Sequence, residues 1–574
     1  MKTVLKYLFP YRWRMGVGFC IKVAGTLVEL LLPYILSHIL KEVVVSQSIP
    51  QIVMWGGLMI LCAAVACLCN IVANRMAARV SRNFSEHIRK DLFVRTLHLS
   101  AAQTDRFTIP SLESRITTDT YNVHNFVGMM QRMGVRAPIL LLGGIAITML
   151  MDSYLALVML AALPLIFITV YFISRKGVPL YSKVQHSVDG MIRVVREDVQ
   201  GIRVIKALSK NEYEHRRYDT VNRALSRDEQ RAGIIMGSVN PIMTFLMNAG
   251  IIGVISLSAS RVANHQSDPE TVIAFMQYFT LISMAMMSVS RIFVMYTKCA
   301  ASARRIAEVL NTPEEIILHT EEEYPSAFTN DHITFEKVCF SYIGKRDDLT
   351  DISFSLPRGG NLGIIGATGS GKSTLIKLLL RFYDVNSGCI RIDGKDIRTL
   401  EAERFYEKFG VAMQHDFLYA DTVEENIRFG RDLTHEQIVH AAKIAQADDF
   451  ISAFPDGYDH MLSSKGTNVS GGQKQRILIA RAIAAFPEIL ILDDSSSALD
   501  YKTDANLRAA LRQELTDTTV VTVAQRVSSV KDCDLILVLD EGKILGMGRH
   551  EHLMETCPEY KEISDSQMGG AFVE

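Results

Sequence analysis

The sequence has almost no net charge. Its 61 Lys and Arg stand against 62 Asp and Glu, a formal charge of −1. Without a basic surplus the chain lacks the electrostatic footprint of a nucleic-acid binder, so no nucleic-acid partner is expected. Cysteine is also sparse: the nine residues form no CxxC pair and no Cys/His set with zinc spacing. Cys62, Cys67 and Cys69 fall inside one apolar run, which favours reduced, structural thiols over a metal site. Residues 1–14 form a charged amphipathic stretch with no small-residue cleavage site. No secretory leader is expected there, and the stretch reads as a helix lying along a membrane surface.

What the sequence does have is apolar residues, 48 % of the total, more than a soluble enzyme usually carries. The excess sits in the first half. Uncharged runs cover 52–73, 154–173, 241–260 and 272–290, each long enough to cross a ~30 Å hydrocarbon core as a helix. Residues 15–40 are as apolar but include Lys22 and Glu29, and 137–151 is short, joined to the next run only by Asp152 and Ser153. Six spans result. Residues 75–136 carry 10 Lys or Arg and 174–240 carry 13, against one each in 41–51 and 261–271. Positive charge stays in the cytosol, so both chain ends are expected inside. The basic stretches are rich in helix formers and read as membrane helices continuing far into the cytosol.

After the helical stretch "KCAASARRIAEVLNTPEE", Pro313 pushes the residue before it out of helical geometry. The expected organisation is a membrane domain over 1–312, a linker over 313–330 and a soluble domain over 331–574. The last contains the β-branched runs "ITFEKVCFSY", "NLGIIG", "CIRIDG", "LILILDD", "TTVVTVA" and "LILVLDEGKIL". Strands alternating with helical patterns predict an α/β domain with a largely parallel sheet. The fold class is therefore a six-helix α-helical transmembrane domain with long cytosolic extensions, fused to an α/β P-loop domain.

"GATGSGKST" follows the strand "LGII" and opens a helix, the context that makes a G-x-x-x-x-G-K-[ST] loop specific. Gly366, Gly369, Ser370 and Gly371 let backbone N–H groups wrap phosphates, Lys372 reaches the β and γ phosphates, and the Ser373 hydroxyl, followed by Thr374, can ligate Mg²⁺. "ILILDDSSSALD" ends an apolar strand on two carboxylates, which as a sequence could be a metal-and-base pair, half of one, or a plain strand end. Beside a P-loop, Asp493 is placed to hold Mg²⁺ and Asp494 to face the attacking water. "NVSGGQKQRILIARA" puts Ser470, Gly471 and Gly472 at the start of a second helix with an anion-binding terminus. One chain needs one phosphate cradle per nucleotide, so a second invites a dimer.

Together these motifs resemble an ATP-binding-cassette (ABC) exporter half, and the resemblance spans nearly the whole chain. It implies ATP with Mg²⁺ as cofactors, a second half-transporter as partner, and a plasma membrane, expected to be bacterial, as location. It also implies roles: Tyr342 in "CFSY" stacks on adenine, Gln414 in "VAMQ" lies between Mg²⁺ and the membrane domain, and "VSGGQ", with Ser470 to Gln473, is the signature facing the other chain's nucleotide. "SALD" over 497–500 resembles the D-loop. "VREDVQGIRVIKALSKNEYEHRR" and "AASARRIAEVL" resemble the family's second cytosolic loop and the exit from the sixth helix, and "SLESRITTDT", from Ser111, its first coupling helix.

Two departures from the family pattern fall in one half-site. The residue after the strand aspartate is usually a glutamate that polarises the hydrolytic water; here it is Asp494, its carboxylate withdrawn by roughly 1.5 Å. A histidine normally precedes the arginine of "AQRVSSV"; here Gln525 stands there, with no titratable ring. The signature is intact from Ser470 onward. This asymmetry points to the degenerate-site half of a heterodimeric exporter for amphipathic drugs, lipids or related small molecules. The alternatives are a slow homodimeric exporter of peptides or lipids, and an ATP-gated regulatory subunit that does not pump. Ser464 in "SSKG" replaces the glutamate of a "GERG"-like turn, which puts coupling on that side in doubt. Lys22 and Glu29, seven residues apart, share a helix face; Lys22 is near enough to the cytosolic end to snorkel, whereas Glu29 is the better candidate to face a cavity, a cationic substrate or another helix.

Overall fold

The computed structural model describes every residue except Met1, Ser46, 264–268, Glu314, Glu315, Phe328, His415, Ser496 and 569–574. It divides into two compact units, one of Met1–His98 with Phe107–Pro313 and one of Leu99–Arg106 with Glu314–Glu574.

Six helices long and apolar enough to cross a membrane lie in the first unit among the described residues: Thr3–Val43, Ile49–Leu97, Ile109–Met151, Ser153–Gln200, Asn211–Ala259 and Val272–Leu310. The second has 49 residues, so it is roughly 70 Å long, more than twice a ~30 Å hydrocarbon core. The helix therefore continues well beyond the apolar run within it. The short third run belongs to a helix of 43 residues. It is separated from the fourth by Asp152, whose Oδ1 accepts from the N–H groups of Tyr154 (3.0 Å) and Leu155 (3.3 Å) and caps the new helix.

Lys22 and Glu29 both find partners within this unit. Lys22 does not snorkel: it is 3 % exposed, and its Nζ donates to Oδ1 of Asn70 (2.7 Å) and of Asn74 (3.1 Å) on the next helix. Two amide oxygens supply within the bundle what water would supply outside. Glu29 meets another helix, accepting from Arg136 Nε (3.1 Å) and Nη2 (2.5 Å).

The stretch from Ser111, expected as the first coupling helix, is braced within the first unit. Its Asp119 is fully buried and accepts from Ser302 Oγ and Arg305 Nε, each at 2.8 Å. Arg115 Nη1 donates to the Arg305 carbonyl (2.9 Å). These charges are locked onto the helix ending at Leu310. Most of the short helix Ala101–Phe107 belongs to the second unit, which includes Leu99–Arg106; there Asp105 Oδ2 accepts from Tyr383 OH at 2.7 Å.

Among the described residues the second unit has ten strands: β1 Asp331–Phe340, β2 Leu349–Pro357, β3 Asn361–Gly366, β4 Ser387–Ile392, β5 Lys395–Asp396, β6 Phe409–Ala412, β7 Ile489–Asp493, β8 Thr519–Val523, β9 Leu535–Asp540 and β10 Lys543–Gly548. They form two sheets, ordered β2-β1-β4-β5 and β10-β9-β3-β8-β7-β6. The larger sheet is parallel from β9 to β6, as the near-continuous apolar runs predict for strands covered on both faces; every residue of β7 is buried. The smaller sheet is antiparallel, so "ITFEKVCFSY" and "CIRIDG" leave the parallel sheet in which they were expected. The run "LILVLDEGKIL" is a hairpin of β9 and β10, folded at Glu541 (φ 42°) and Gly542 (φ 77°). Positive φ at both turn residues matches strand twist and reverses the chain in two residues.

Described parts of 313–330 lie on this unit. His319 N donates to the Arg398 carbonyl (3.0 Å), Ala327 N to the Gly394 carbonyl (2.9 Å), and the Arg398 guanidinium stacks 3.7 Å from the Tyr324 ring centroid.

Candidate nucleotide site

β3, β8, β7 and β6 are neighbours and point the same way, so the loops at their C-terminal ends meet. This is where open parallel sheets place ligands. β3 leads into Gly366–Ser373, β8 into Gln525, β7 into Asp493 and Asp494, and β6 toward Gln414. A cavity of about 220 Å³ opens among them, lined by Gly369, Gly371, Lys372, Ser373, Thr374, Gln414, Asp493, Asp494 and Gln525.

The P-loop cradle is formed. Gly369 (φ 86°) and Gly371 (φ 104°) hold conformations that turn successive N–H groups inward, and Lys372 opens the helix Lys372–Leu379. Lys372 Nζ donates to the carbonyls of Gly366 (2.8 Å) and Ala367 (2.7 Å). Burial lowers its pKa, and Asp494 and Asp493 oppose that shift without cancelling it. Ser370 Oγ is buried with no hydrogen-bond partner among the described residues. A buried hydroxyl without a partner at the heart of an N–H-lined loop fits a phosphate oxygen.

Asp493 is 2 % exposed. Burial raises its carboxyl pKa; a hydrogen bond with Ser373 lowers it and the Asp494 charge raises it further. A buried carboxylate beside a hydroxyl is a hard-oxygen pair of the kind Mg²⁺ takes, so the residues present fit that ion. Asp494, at φ 50°, turns away from the strand, and its Oδ2 accepts from Gln525 Nε2 (3.1 Å) and Gln414 Nε2 (3.3 Å). The structure therefore brings the four expected residues Asp493, Asp494, Gln414 and Gln525 to one cavity with the P-loop, and ties the shorter carboxylate down with two amides.

Tyr342 lies at the edge of the same region, 41 % exposed, its OH 3.4 Å from Thr374 Oγ1. Its ring stands edge-on to Phe340 (4.8 Å) and Tyr383 (5.1 Å), leaving an aromatic surface for a flat ligand. Tyr383 was not singled out from the sequence. It connects Tyr342 to Asp105, and its hydroxyl pKa is raised by burial and then by that hydrogen bond.

The signature residues stand apart from this cavity. Ser470 caps the helix Gly471–Ile483, accepting from Gln473 N (3.3 Å), and Gln473 Oε1 accepts from Ser470 N (3.0 Å). This reciprocal capping box occupies the Gln473 side-chain oxygen inside its own chain. A Cβ on Gly472 would approach the Ala498 carbonyl at 3.1 Å, so signature and "SALD" pack together. Asp500 is the cap of the following helix, accepting from Thr503 N (2.9 Å). Arg481, also missed, is buried among apolar neighbours and donates to the carbonyls of Asn426 (2.7 Å) and Phe417 (2.9 Å). Its place on the apolar face of "RILIARA" was the available signal.

His332, Asp393 and Glu488 gather potential metal ligands within 4.8 Å. Arg358 Nη2, however, donates to Asp393 and Glu488 at 3.0 Å each, and Lys408 Nζ to Glu488 at 2.7 Å. Two cations already balance the two carboxylates, so the cluster is an ion-pair network.

A P-loop sheet fused to six membrane-length helices defines a membrane-embedded ATPase of the transporter type. The comparisons give the family. The description "ABC transporter transmembrane region" matches residues 15–286 and "ABC transporter" matches 349–497. The chain is 33 % identical over 573 residues to an uncharacterised ABC transporter ATP-binding protein of Mycobacterium tuberculosis, covering 99 % of this chain and 98 % of that one. It is 32 % identical to the ABC transporter ATP-binding protein YfiB of Bacillus subtilis, covering 99 % of each. The multidrug efflux ATP-binding/permease protein of M. tuberculosis matches at 29 %, over 97 % of this chain and 46 % of that protein. A bacterial Atm1-family ABC exporter solved with ATP bound shares the fold, with TM-score 0.81, 23 % identity, and 98 % and 99 % of the two chains covered. The chain belongs to the ABC transporters, with membrane and nucleotide-binding domains fused in one chain.

Proposed function

We propose that this chain is the degenerate-site half of a heterodimeric exporter that moves amphipathic small molecules or lipids out of the cytosol. It sits in a bacterial plasma membrane with both ends inside, residues 1–312 forming the pathway and 331–574 the ATPase. The observation that carries the reading is the engagement of Asp494 Oδ2 by Gln525 and Gln414. A general base must reach its water, and a short carboxylate held by two amide donors is poorly set to move toward one.

ATP is held in the P-loop by Lys372 and the backbone N–H groups, with adenine on Tyr342. Ser373 and Asp493, with Gln414, would hold Mg²⁺, which supplies charge neutralisation at the phosphates. Ser470 to Gln473 complete a hydrolytic site on the second chain. Nucleotide sandwiching closes the dimer, and turnover at the other site resets it. The 29 % relative whose name is multidrug efflux supports the substrate class.

The test is ATPase activity of the purified chain alone and with a second half-transporter carrying glutamate and histidine at the two positions. Fast hydrolysis is expected only in the mixed assembly. Hydrolysis at full exporter rates by the chain alone would overturn the proposal.

A further inference from the structure

We propose that Gln567 is a positioning residue for the nucleotide site, holding from behind the loop that carries Gln525. Its side-chain amide bridges the backbone on both sides of Arg526. Nε2 donates to the Gln525 carbonyl, and Oε1 accepts from the Val527 N–H, each at 2.8 Å. One amide thus pairs with the loop as a neighbouring strand would, and the loop's own side chain, Gln525, reaches Asp494 at 3.1 Å.

The support behind Gln567 is rigid. The helix Pro558–Met568 buries Tyr560 completely in a cluster with Ile365, Val527, Val530 and Ile536, and Tyr560 OH bonds His550 Nδ1 at 2.8 Å. Ile365 belongs to the strand that runs into the P-loop. The helix therefore rests on the same sheet that presents the phosphates and projects Gln567 from its last turn. Gln567 itself is exposed, so its fixed position costs side-chain entropy that the two hydrogen bonds offset.

The consequence is directional. With the clamp in place, the Gln525 loop stays against Asp494 and bound nucleotide leaves slowly; without it the loop opens and nucleotide leaves sooner. This rests on reading Gln525 as facing the γ-phosphate, but the clamp is testable apart from that reading.

The full chain in its native assembly is compared with Gln567→Ala and Gln567→Glu. Hydrogen exchange is read over residues 524–530, dissociation of Mg²⁺-ATP by filter binding, and thermal midpoint as a control. The Val527 N–H is held by one of the two hydrogen bonds, and loss of one ordinary hydrogen bond corresponds to roughly fivefold. Gln567→Ala is expected to raise exchange at Val527 by about that factor, to speed ATP release several-fold and to leave the thermal midpoint in place. In Gln567→Glu the carboxylate still accepts from Val527 but cannot donate to Gln525, so exchange at Val527 stays near wild type while ATP release matches the alanine variant. Unchanged exchange in Gln567→Ala would refute the clamp. Raised exchange with unchanged ATP release would refute its reach into the site. Fast hydrolysis by the wild-type chain would count against the degenerate-site reading alone.

Discussion

Replacing Asp494 by glutamate and Gln525 by histidine together is expected to convert the site from a nucleotide holder into a hydrolytic one. The added methylene advances the carboxylate by about 1.5 Å. Misplacement by about 1 Å can cost on the order of a hundredfold in rate, about 2.7 kcal/mol of barrier. Against this stands backbone strain: position 494 sits at φ 50°, which aspartate tolerates better than glutamate, a difference of about 1 kcal/mol or less. The gain exceeds the strain. Glutamate alone still meets the amides of Gln414 and Gln525, which now hold the carboxylate from 3.3 and 3.1 Å, so each single change should give under about tenfold and the pair about a hundredfold. The assay is single-turnover hydrolysis of labelled ATP with protein in excess and the second chain's P-loop lysine removed, so that only this site reports. A double variant that binds ATP normally yet hydrolyses it at the wild-type rate would refute the geometric argument.

Replacing Arg136 by methionine leaves Glu29 without its partner in the first unit. The expected loss is about 1–2 kcal/mol, below the value for a fully buried pair because the Arg136 side chain is 43 % exposed. Adding Glu29→Gln should recover most of it, as read by thermal midpoints in nanodiscs; equal midpoints for the single and double variants would show that the pair does not matter. His332 supplies a pH dependence. Its ring is fully buried and held below its ordinary 6.5, first by burial, with Asp393 and Glu488 pulling the other way. The unfolded chain then takes up a proton near pH 6.5 that the folded chain does not. Stability is full above that pH and falls below it, by at most about 1.4 kcal/mol per pH unit. His332→Asn should flatten the decline in midpoint between pH 7 and 5.5, and an unchanged slope would assign it to other groups.

The membrane helices and the P-loop were legible because their signals are local. An 18-residue apolar run, or a glycine loop between strand and helix, needs no distant partner to be recognised. The second sheet was not legible: alternation in β1 reads the same whether its neighbour is parallel or antiparallel, and the pairing with β4 crosses some fifty residues. Charged helices hide their partners for a related reason. Nothing in "SLESRITTDT" shows that Asp119 is buried against Ser302 and Arg305, more than 180 positions away.

The nucleotide site divides in the same way. From the sequence, Asp494 was one methylene short, a property of a single residue. In the structure its carboxylate is held by Gln414 and Gln525, and the loop bearing Gln525 is held in turn by Gln567, forty residues beyond it. None of these contacts has a spacing rule. If the site is slow, the slowness belongs to this linked set and not to the missing methylene alone. Lengthening Asp494 while Gln525 remains should therefore recover less than geometry allows, and loosening Gln567 should change how long ATP stays without supplying a base.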